Sequence, residues 1–171
     1  MPGLTLHLWR HAKAEKGDAG IADFDRKLTA GGARAAGEMA MVIVARPNWP
    51  TRILCSTAQR TRETLAPLVL ALGAEASIEL TRRIYDASPG TLLHLVQAQS
   101  SESDSLMLVG HNPGLETLAG LLTSGGEAAA LHRFRQGLPP GALAVLQFDA
   151  DRWAEIAPGN GRLIAFETPR D

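Results

Sequence analysis

Three apolar segments of this chain are each followed closely by an arginine or a histidine, and this placement restricts the fold. The segments, with the side chains that follow them, are residues 4–9 with Arg10 and His11, residues 53–56 with Arg60, and residues 106–110 with His111. The carboxyl ends of parallel strands meet at one edge of an open α/β sheet, which is where such sheets bind ligands. The sequence therefore predicts that two arginines and two histidines come together at one sheet edge.

Helical segments separate the apolar runs, and this alternation is typical of a mainly parallel sheet with helices on both faces. We predict strands over residues 4–9, 52–55, 76–80, 106–109, 143–148 and 163–166, and helices over residues 30–46, 58–72, 91–99 and 113–122. Pro67 falls inside the second helix and should bend it or start a second helical segment. The last two strands can pair as a hairpin. The predicted fold is therefore a three-layer α/β/α sandwich whose mainly parallel sheet has an antiparallel edge.

The composition fits one domain over residues 1–171, because 45% of the chain is hydrophobic and no long linker is visible. The formal net charge of −1 argues against a broad surface for nucleic acid or anionic membranes. Cys55 is the single cysteine, which excludes an intrachain disulfide and a thiolate zinc cluster. Neither a secretory signal nor an apolar run near the ~20 residues that span a bilayer is visible. We therefore expect a cytoplasmic protein.

Arginine and histidine at one sheet edge suit the binding and transfer of a phosphoryl group. Guanidinium groups are always charged and bind phosphate oxygens in pairs, so Arg10 and Arg60 are the candidate phosphate ligands. His11 is the candidate nucleophile, because a neutral imidazole nitrogen can attack phosphorus and form a phosphohistidine intermediate. His111 is the candidate donor to the transferring oxygens in the transition state. This set supplies the charge without a metal or a cofactor, and the sequence holds no His-Glu-x-x-His pair.

Each of these residues, taken alone, also has a structural interpretation. Arg10 and His11 can form a surface pair at a strand end. Arg60 can be a charge on a helix surface, and His111 can cap a helix. The joint placement at three strand ends makes the catalytic interpretation the stronger one. His7, which alternates on the first strand, is interpreted as structural.

Several motifs of the chain resemble the histidine phosphatase superfamily, which includes the cofactor-dependent phosphoglycerate mutases. They are Arg-His-Ala at residues 10–12, Ser-Thr-Ala-Gln-Arg-Thr-Arg-Glu-Thr at residues 56–64 and Val-Gly-His-Asn-Pro-Gly at residues 109–114. The finer pattern is similar to the SixA branch, the phosphohistidine phosphatases, in residues 10–14, 26–32, 84–87, 141–144 and Trp153. The resemblance covers nearly the whole chain and implies a phosphoglycerate mutase-like fold. It also implies that His11 is phosphorylated during turnover, in a pocket completed by Arg10, Arg60 and His111.

The chain departs from the superfamily pattern at two positions. Ala12 stands where glycine commonly follows the nucleophilic histidine, as it does in many SixA-like chains, and we expect little effect from it. Many superfamily phosphatases place a glutamate general acid in the segment after the third strand, where this chain has Asp86. Asp86 is therefore the candidate acid. Its shorter side chain leaves the alternative that it caps the helix near Pro89 or lies in a turn.

A modest acid favours a substrate with a P–N bond. An alkoxide leaving group needs a proton donor in the transition state, whereas imidazole, whose conjugate acid has a pKa of about 6.5, needs far less help. The short stretch between Arg60 and His111 leaves no room for a lid over a small substrate, so a histidine on another protein can enter. We therefore expect the substrate to be phosphohistidine on a signalling or phosphotransfer protein.

Two other functions stay open at this point. The chain can be a small-molecule phosphomonoesterase of the same superfamily, or a non-catalytic module that binds a phosphorylated ligand. The presence of all four pocket residues argues against the second of these. Residues 132–135 (His-Arg-Phe-Arg) can form a basic rim for a partner surface or a second anionic group, and the alternative is a solvated loop.

Overall fold

A seven-stranded mixed sheet forms the centre of the computed structural model, which describes residues 3–170. The strands are β1 Leu4–Arg10, β2 Arg52–Ser56, β3 Ser77–Thr81, β4 Ser105–Gly110, β5 Thr123–Gly126, β6 Leu143–Phe148 and β7 Gly161–Glu167. The α-helices of the described residues are α1 Ala30–Val44, α2 Gln59–Leu72, α3 Pro89–Gln97, α4 Gly114–Leu122 and α5 Ala128–Phe134. The strand order across the sheet is β3-β2-β4-β1-β6-β7-β5.

The sheet is mainly parallel, and β6 is the strand that runs against its neighbours. β1 pairs in parallel with β4, and β2 pairs in parallel with both β3 and β4. β6 is antiparallel to β1 and to β7, while β5 pairs in parallel with β7. The predicted α/β fold, with antiparallel pairing on one side of a mainly parallel sheet, is confirmed. The sequence does not predict β5, which lies outside the β6–β7 pair and forms the edge.

Side chains of β1 alternate between two hydrophobic cores, one on each face of the sheet. Leu6 and Leu8 belong to the core that contains residues of α3 and α4. Trp9 belongs to the core that contains residues of α1 and α2. All three side chains are fully buried, so β1 lies in the middle of the molecule and its carboxyl end is rigidly held.

The helices begin and end close to the predicted positions, with three differences. α2 runs through Pro67 as one helix, so the second segment that this proline suggested does not form. α3 begins at Pro89, two residues before the predicted start, because the Ser88 hydroxyl accepts the N–H of Thr91 and caps it. α5 is not predicted by the sequence. No helix within residues 3–170 has the length and apolar character that crossing a membrane requires.

Candidate active site

Arg10, His11 and His111 lie at the carboxyl ends of two neighbouring strands. Arg10 is the last residue of β1 and pairs with Gly110, the last residue of β4. The backbone N–H of His11 donates to the carbonyl oxygen of Gly110 at 3.1 Å, so the two histidines leave the sheet side by side. Their ring centroids are 5.3 Å apart, and both residues are buried. The parallel register of β1 and β4 therefore brings the two histidines together.

The His11 ring is neutral, with its lone pair on Nε2. Nδ1 lies 2.7 Å from the carbonyl oxygen of Ala12, which can only accept, so Nδ1 carries the proton. Nε2 accepts a hydrogen bond from Nε of Arg60 at 3.3 Å. Burial is the main cause that lowers the pKa of His11 to about 4, and the charges of Arg60 and Arg10 lower it further. At neutral pH the ring therefore presents an unprotonated nitrogen to the pocket.

His111 packs beside His11 and is held at the end of β2. Its Nε2 lies 2.8 Å from the Oγ of Ser56, an oxygen that also accepts the N–H of Ala58 at 3.3 Å. Because a hydroxyl can both donate and accept, this contact fits either neutral form of the ring. Nδ1 is buried and has no hydrogen-bond partner in the part of the chain that the structure describes. Burial first, and then the neighbouring His11 and Arg60, lower the pKa of His111 to about 3.

The guanidinium of Arg60 is held by an acidic residue from the loop before α1. Arg60 is buried in the first turn of α2, and its Nη1 donates to the carbonyl oxygen of Asp23 at 2.6 Å. Its Nη2 donates to Oδ2 of Asp23 at 3.1 Å, and the Tyr85 hydroxyl donates to the same oxygen at 2.6 Å. The hydrogen bond from Tyr85, followed by the charges of Arg60 and Arg26, lowers the pKa of Asp23 to about 2. The ionised carboxylate of Asp23 therefore occupies an N–H donor of Arg60 that could otherwise bind a phosphate oxygen.

Arg10 is the second guanidinium of the pocket. Its Nη1 donates to the carbonyl oxygen of Leu138 at 3.0 Å, whereas its Nε is buried without a hydrogen-bond partner among residues 3–170. The carboxylate of Glu116 compensates part of its charge. That carboxylate is fixed by Nδ2 of Asn112 at 3.0 Å and by the N–H of Leu138 at 3.1 Å. Arg10 is therefore held in place and keeps donors free for a ligand.

Sequence reasoning did not identify Asp23 and Tyr85 as site residues. The Tyr85 ring packs edge-on against His111 at 5.4 Å and against Phe24 at 5.1 Å between centroids, so it forms one wall of the pocket. Sequence motifs of the chain contain or adjoin both residues. Tyr85 lies inside the motif at residues 84–87, and Asp23 stands three residues before the motif that begins at Arg26.

Asp86 lies in the turn before α3, beside the pocket. It has a left-handed φ of 53° and an exposed side chain that makes no hydrogen bond within the described residues. Ser88, not Asp86, caps α3, so the capping alternative is wrong and the turn alternative is correct. Asp86 and His111 line one cavity of about 250 Å³. Its role as an acid stays a prediction.

Residues 132–135 end a helix rather than forming a loop. Residues 132–134 belong to α5, and Arg133 lines a cavity of about 520 Å³ together with Arg10. The Phe134 ring packs against Phe166 at 5.9 Å between centroids. Arg135 is exposed and does not line this cavity. Of the predicted basic rim, the Arg133 side chain is thus the part that approaches the site.

The assembled side chains can bind and transfer a phosphoryl group. The C-terminal sheet edge holds two guanidinium groups and two imidazoles, and the unprotonated Nε2 of His11 faces the Arg60 guanidinium. Guanidinium and N–H donors stabilise charge on equatorial phosphoryl oxygens, and the lone pair is a nucleophile. Within residues 3–170 there is no group of three or more His, Cys, Asp or Glu side chains that could hold a metal ion.

Comparisons with known proteins agree with this fold. No family model matches the chain. An uncharacterised protein of Mycobacterium tuberculosis, Rv1276c, is 37% identical over 163 residues, which cover 94% of this chain and 99% of the relative. A crystal structure from Agrobacterium tumefaciens, assigned to the phosphohistidine phosphatase SixA, is 35% identical, with a TM-score of 0.81 and coverage of 99% of this chain and 100% of that one.

A second solved structure extends the similarity. A structure from Nakamurella multipartitia, also assigned to phosphohistidine phosphatase SixA, is 27% identical, with a TM-score of 0.84 and coverage of 98% of this chain and 97% of that one. Fold and site together are those of a phosphatase of the histidine phosphatase class. The chain belongs to the SixA-type branch of the histidine phosphatase superfamily.

Proposed function

We propose that this protein is a metal-independent phosphohistidine phosphatase that acts through a phosphorylated His11. The proposed substrate is a phosphohistidine carried by a signalling or phosphotransfer protein in the cytoplasm, and residues 1–171 act as one domain. The observation that carries the proposal is the orientation of the His11 ring. Its Nδ1–H is held by the Ala12 carbonyl at 2.7 Å, which leaves the Nε2 lone pair in a pocket with Arg10 and Arg60. The similarity to the structures assigned to SixA supports the same activity.

In the first step, Nε2 of His11 attacks phosphorus in line with the leaving nitrogen. A bond forms between phosphorus and Nε2 while the P–N bond of the substrate breaks, and its electron pair stays on the substrate nitrogen. In the second step, a water oxygen attacks phosphorus and the bond to Nε2 breaks. Because Nδ1 keeps its proton on the Ala12 carbonyl throughout, His11 leaves as a neutral imidazole. The protons of the water leave with the phosphate or pass to solvent.

Charge in both transition states is stabilised by the arginines and by the second histidine. Arg10 and Arg60 neutralise the phosphoryl oxygens, and His111, whose ring centroid lies 5.3 Å from that of His11, donates an N–H to one of them. A bound phosphoryl group must replace Asp23 as the acceptor of the Arg60 Nη donors. The hydroxyl of Tyr85 can keep the displaced carboxylate of Asp23 near its present position.

The acidic residues of the pocket favour a leaving group that needs little protonation. Asp23 has a pKa of about 2 and is ionised at neutral pH, so it cannot protonate an alkoxide. A phosphohistidine that is protonated on its second ring nitrogen leaves as neutral imidazole without a further proton. The pocket therefore suits a P–N bond better than the ester of an ordinary alcohol.

The test is phosphate release from a phosphohistidine-bearing phosphotransfer domain, beside a panel of small phosphate monoesters and with EDTA present throughout. His11→Ala is the inactive variant, and His94→Ala, which alters an exposed histidine of α3, is the matched control. We expect release from the phosphohistidine protein with the parent chain and with His94→Ala, and none with His11→Ala. Full activity of His11→Ala, or loss of activity in EDTA, would contradict the proposal.

The cavity shared by Asp86 and His111 favours a second candidate function, the hydrolysis of a small phosphate monoester. An alcohol leaving group bound there would lie beside a carboxyl group. In that case Asp86→Asn lowers monoester turnover by about 100-fold, the size expected for a lost general acid. With a phosphohistidine protein, the same variant should retain activity within about threefold, because imidazole leaves readily. A preference for monoesters over phosphohistidine, with this large Asp86 effect, moves the function to small metabolites.

A further inference from the structure

A cavity beside Arg10 shares this arginine with the phosphoryl pocket. Its volume is about 520 Å³, and it also holds Asn112, which lines the smaller cavity at Asp86. The polar side chains around it include Arg10, Arg133, Glu116, Gln136 and Thr168. Because Arg10 belongs both to this cavity and to the phosphoryl site, a ligand held there by its phosphoryl group can reach the cavity with its remaining atoms.

Arg133 is an exposed arginine that lines this cavity, and two hydrogen bonds orient it without an anionic partner. Its Nη1 donates to the carbonyl oxygen of Phe166 at 2.8 Å, and its Nη2 donates to Oγ1 of Thr168 at 3.0 Å. The guanidinium carbon lies 5.6 Å from the centroid of the Phe166 ring. Among the residues that the structure describes, Arg133 forms no ion pair. Neutral acceptors therefore orient the group while its charge stays uncompensated.

The carboxylate in the cavity lining, that of Glu116, is already engaged elsewhere. It accepts hydrogen bonds from Asn112 at 3.0 Å and from the N–H of Leu138 at 3.1 Å, and its charge acts on Arg10. One negative charge thus faces two guanidinium groups in the lining, and the excess positive charge resides on Arg133. An oriented guanidinium with free N–H groups is the usual partner of a carboxylate or phosphate.

We propose that the cavity is a subsite for a carboxylate that the substrate carries close to its phosphoryl group, with Arg133 as its ligand. The inference rests on the proposed function, because it takes Arg10 as a ligand of the phosphoryl group. The carboxylate can come from an acidic side chain that flanks a phosphohistidine in a protein. It can also come from a small phosphorylated acid. The recognition chemistry is the same, and the experiment separates the two sources.

The first experiment measures binding without turnover. Alkyl phosphonates that end in a carboxylate, with spacers of two to six carbons, are compared with the matching terminal amides by calorimetry. We expect at least one spacer to give a carboxylate preference of about tenfold, the size of one charge-assisted hydrogen-bonded contact. Arg133→Gln should abolish this preference. Arg135→Gln, which removes an exposed arginine one residue beyond α5, should keep it.

A variant that keeps the positive charge of Arg133 distinguishes ligand binding by this residue from a structural role. Arg133→Lys keeps the positive charge but loses the paired N–H geometry, so it should retain part of the carboxylate preference. Thermal unfolding of all variants shows whether the loss of the contacts to Phe166 and Thr168 disturbs the fold. Equal binding of carboxylate and amide by the parent chain at every spacer overturns the subsite, and so does an unchanged preference in a folded Arg133→Gln.

The second experiment identifies the source of the carboxylate. Phosphohistidine peptides with glutamate or glutamine on either side are compared with small phosphorylated acids and their amides as substrates. A lower KM for the glutamate peptides, lost in Arg133→Gln, assigns the carboxylate to a protein. If phosphonates show the preference but no phosphohistidine peptide is hydrolysed, the proposed function fails while the subsite stands, and the small acid is the source.

Discussion

β1 and the residue directly after it each present a buried histidine, and these side chains differ in what their lone pairs face. In the middle of the strand, Nε2 of His7 donates to the carbonyl oxygen of Asn48 at 2.8 Å, beside the Ser105 hydroxyl at 3.2 Å. The His7 lone pair therefore lies on Nδ1, which is buried without a partner in the described part of the chain. Directly after the strand, His11 donates from Nδ1 and turns its Nε2 lone pair towards Arg60.

Protonation does not distinguish a structural histidine from a reactive one in this protein. Burial is the main cause that lowers the pKa of both His7 and His11 to about 4, so both rings are neutral at pH 7. The difference lies around the unprotonated nitrogen. For His7 it is enclosed by the core, and for His11 it opens on guanidinium groups that can hold a phosphoryl group. Reactivity therefore depends on the direction of the lone pair, which the local backbone sets.

The largest expected effect separates the two histidines by activity. His11→Asn should lower phosphate release by at least about 10⁴-fold, because it removes the attacking nitrogen. His7→Asn should keep activity within about threefold, since its ring lies away from the pocket. Samples quenched in alkaline denaturant should contain phosphoenzyme that is stable in base and labile in acid, with the parent chain and with His7→Asn only. Equal losses of activity in the two variants would contradict the interpretation of His11 as reactive and His7 as structural.

The next effect tests whether the Arg60 guanidinium, which lies opposite His11, is needed for phosphoryl transfer to His11. Arg60→Ala should lower kcat by about 100-fold or more, the size found when one transition-state donor is removed. Arg62→Ala is the matched control, because Arg62 is an exposed arginine of the same helix whose Nε donates to the Thr57 carbonyl. Steady-state kinetics of both variants measure the effect. A control that loses as much activity as Arg60→Ala would assign the loss to α2 as a whole.

The pH dependence of activity should reflect the protonation of the His11 ring. Its neutral form is the nucleophile, so on the acid side activity should fall by about tenfold per unit as pH drops below the pKa of about 4. The measurement is the initial rate with uncatalysed hydrolysis subtracted, and enzyme returned from acid to pH 7 is assayed for recovery. A fall centred near 6.5 would mean that burial and the arginines do not lower this pKa.

The smallest effect concerns stability at His7 in the middle of β1. His7→Asn should cost about 1 kcal/mol and lower Tm by roughly 2–4 °C, because the Asn48 carbonyl loses one of its two donors and keeps the Ser105 hydroxyl at 2.9 Å. The folded pKa of His7, about 4, lies below its unfolded value of 6.5, so the unfolded chain binds more protons between these values. Its contribution to stability is thus lost as pH falls from 6.5 through about 4.

Chemical denaturation across this pH range tests the assignment. His7→Asn should show a shallower loss of stability between pH 6.5 and 4 than the parent chain, and His11→Asn should also be shallower. The exposed His94 is the matched control, and His94→Asn should follow the parent curve. A parent curve that stays flat across this range would contradict the buried neutral state of both rings.

The parts of the fold that the sequence predicts are those that carry their own periodic pattern. The apolar alternation of residues 4–9 and the helical spacing of residues 30–46 correspond to β1 and α1. β5 has the sequence Thr-Ser-Gly-Gly, which shows no alternation, and it is a strand because β7 offers it an unpaired edge. The strand ends likewise indicate which arginines and histidines meet, since parallel strands place their carboxyl ends together.

Strand periodicity and strand-end residues were sufficient for the α/β fold and for the candidates Arg10, His11, Arg60 and His111, and the motifs around these residues indicated the superfamily by resemblance. They could not reveal the carboxylate of Asp23 on Arg60, because these residues are 37 positions apart, with α1 and β2 between them, and Asp23 itself lies in a segment without a periodic pattern. Nor could they show which nitrogen of His11 is unprotonated, or that Arg133 shares a cavity with Arg10. Hydrogen bonding, burial and charge balance depend on neighbours that only the folded chain brings into contact.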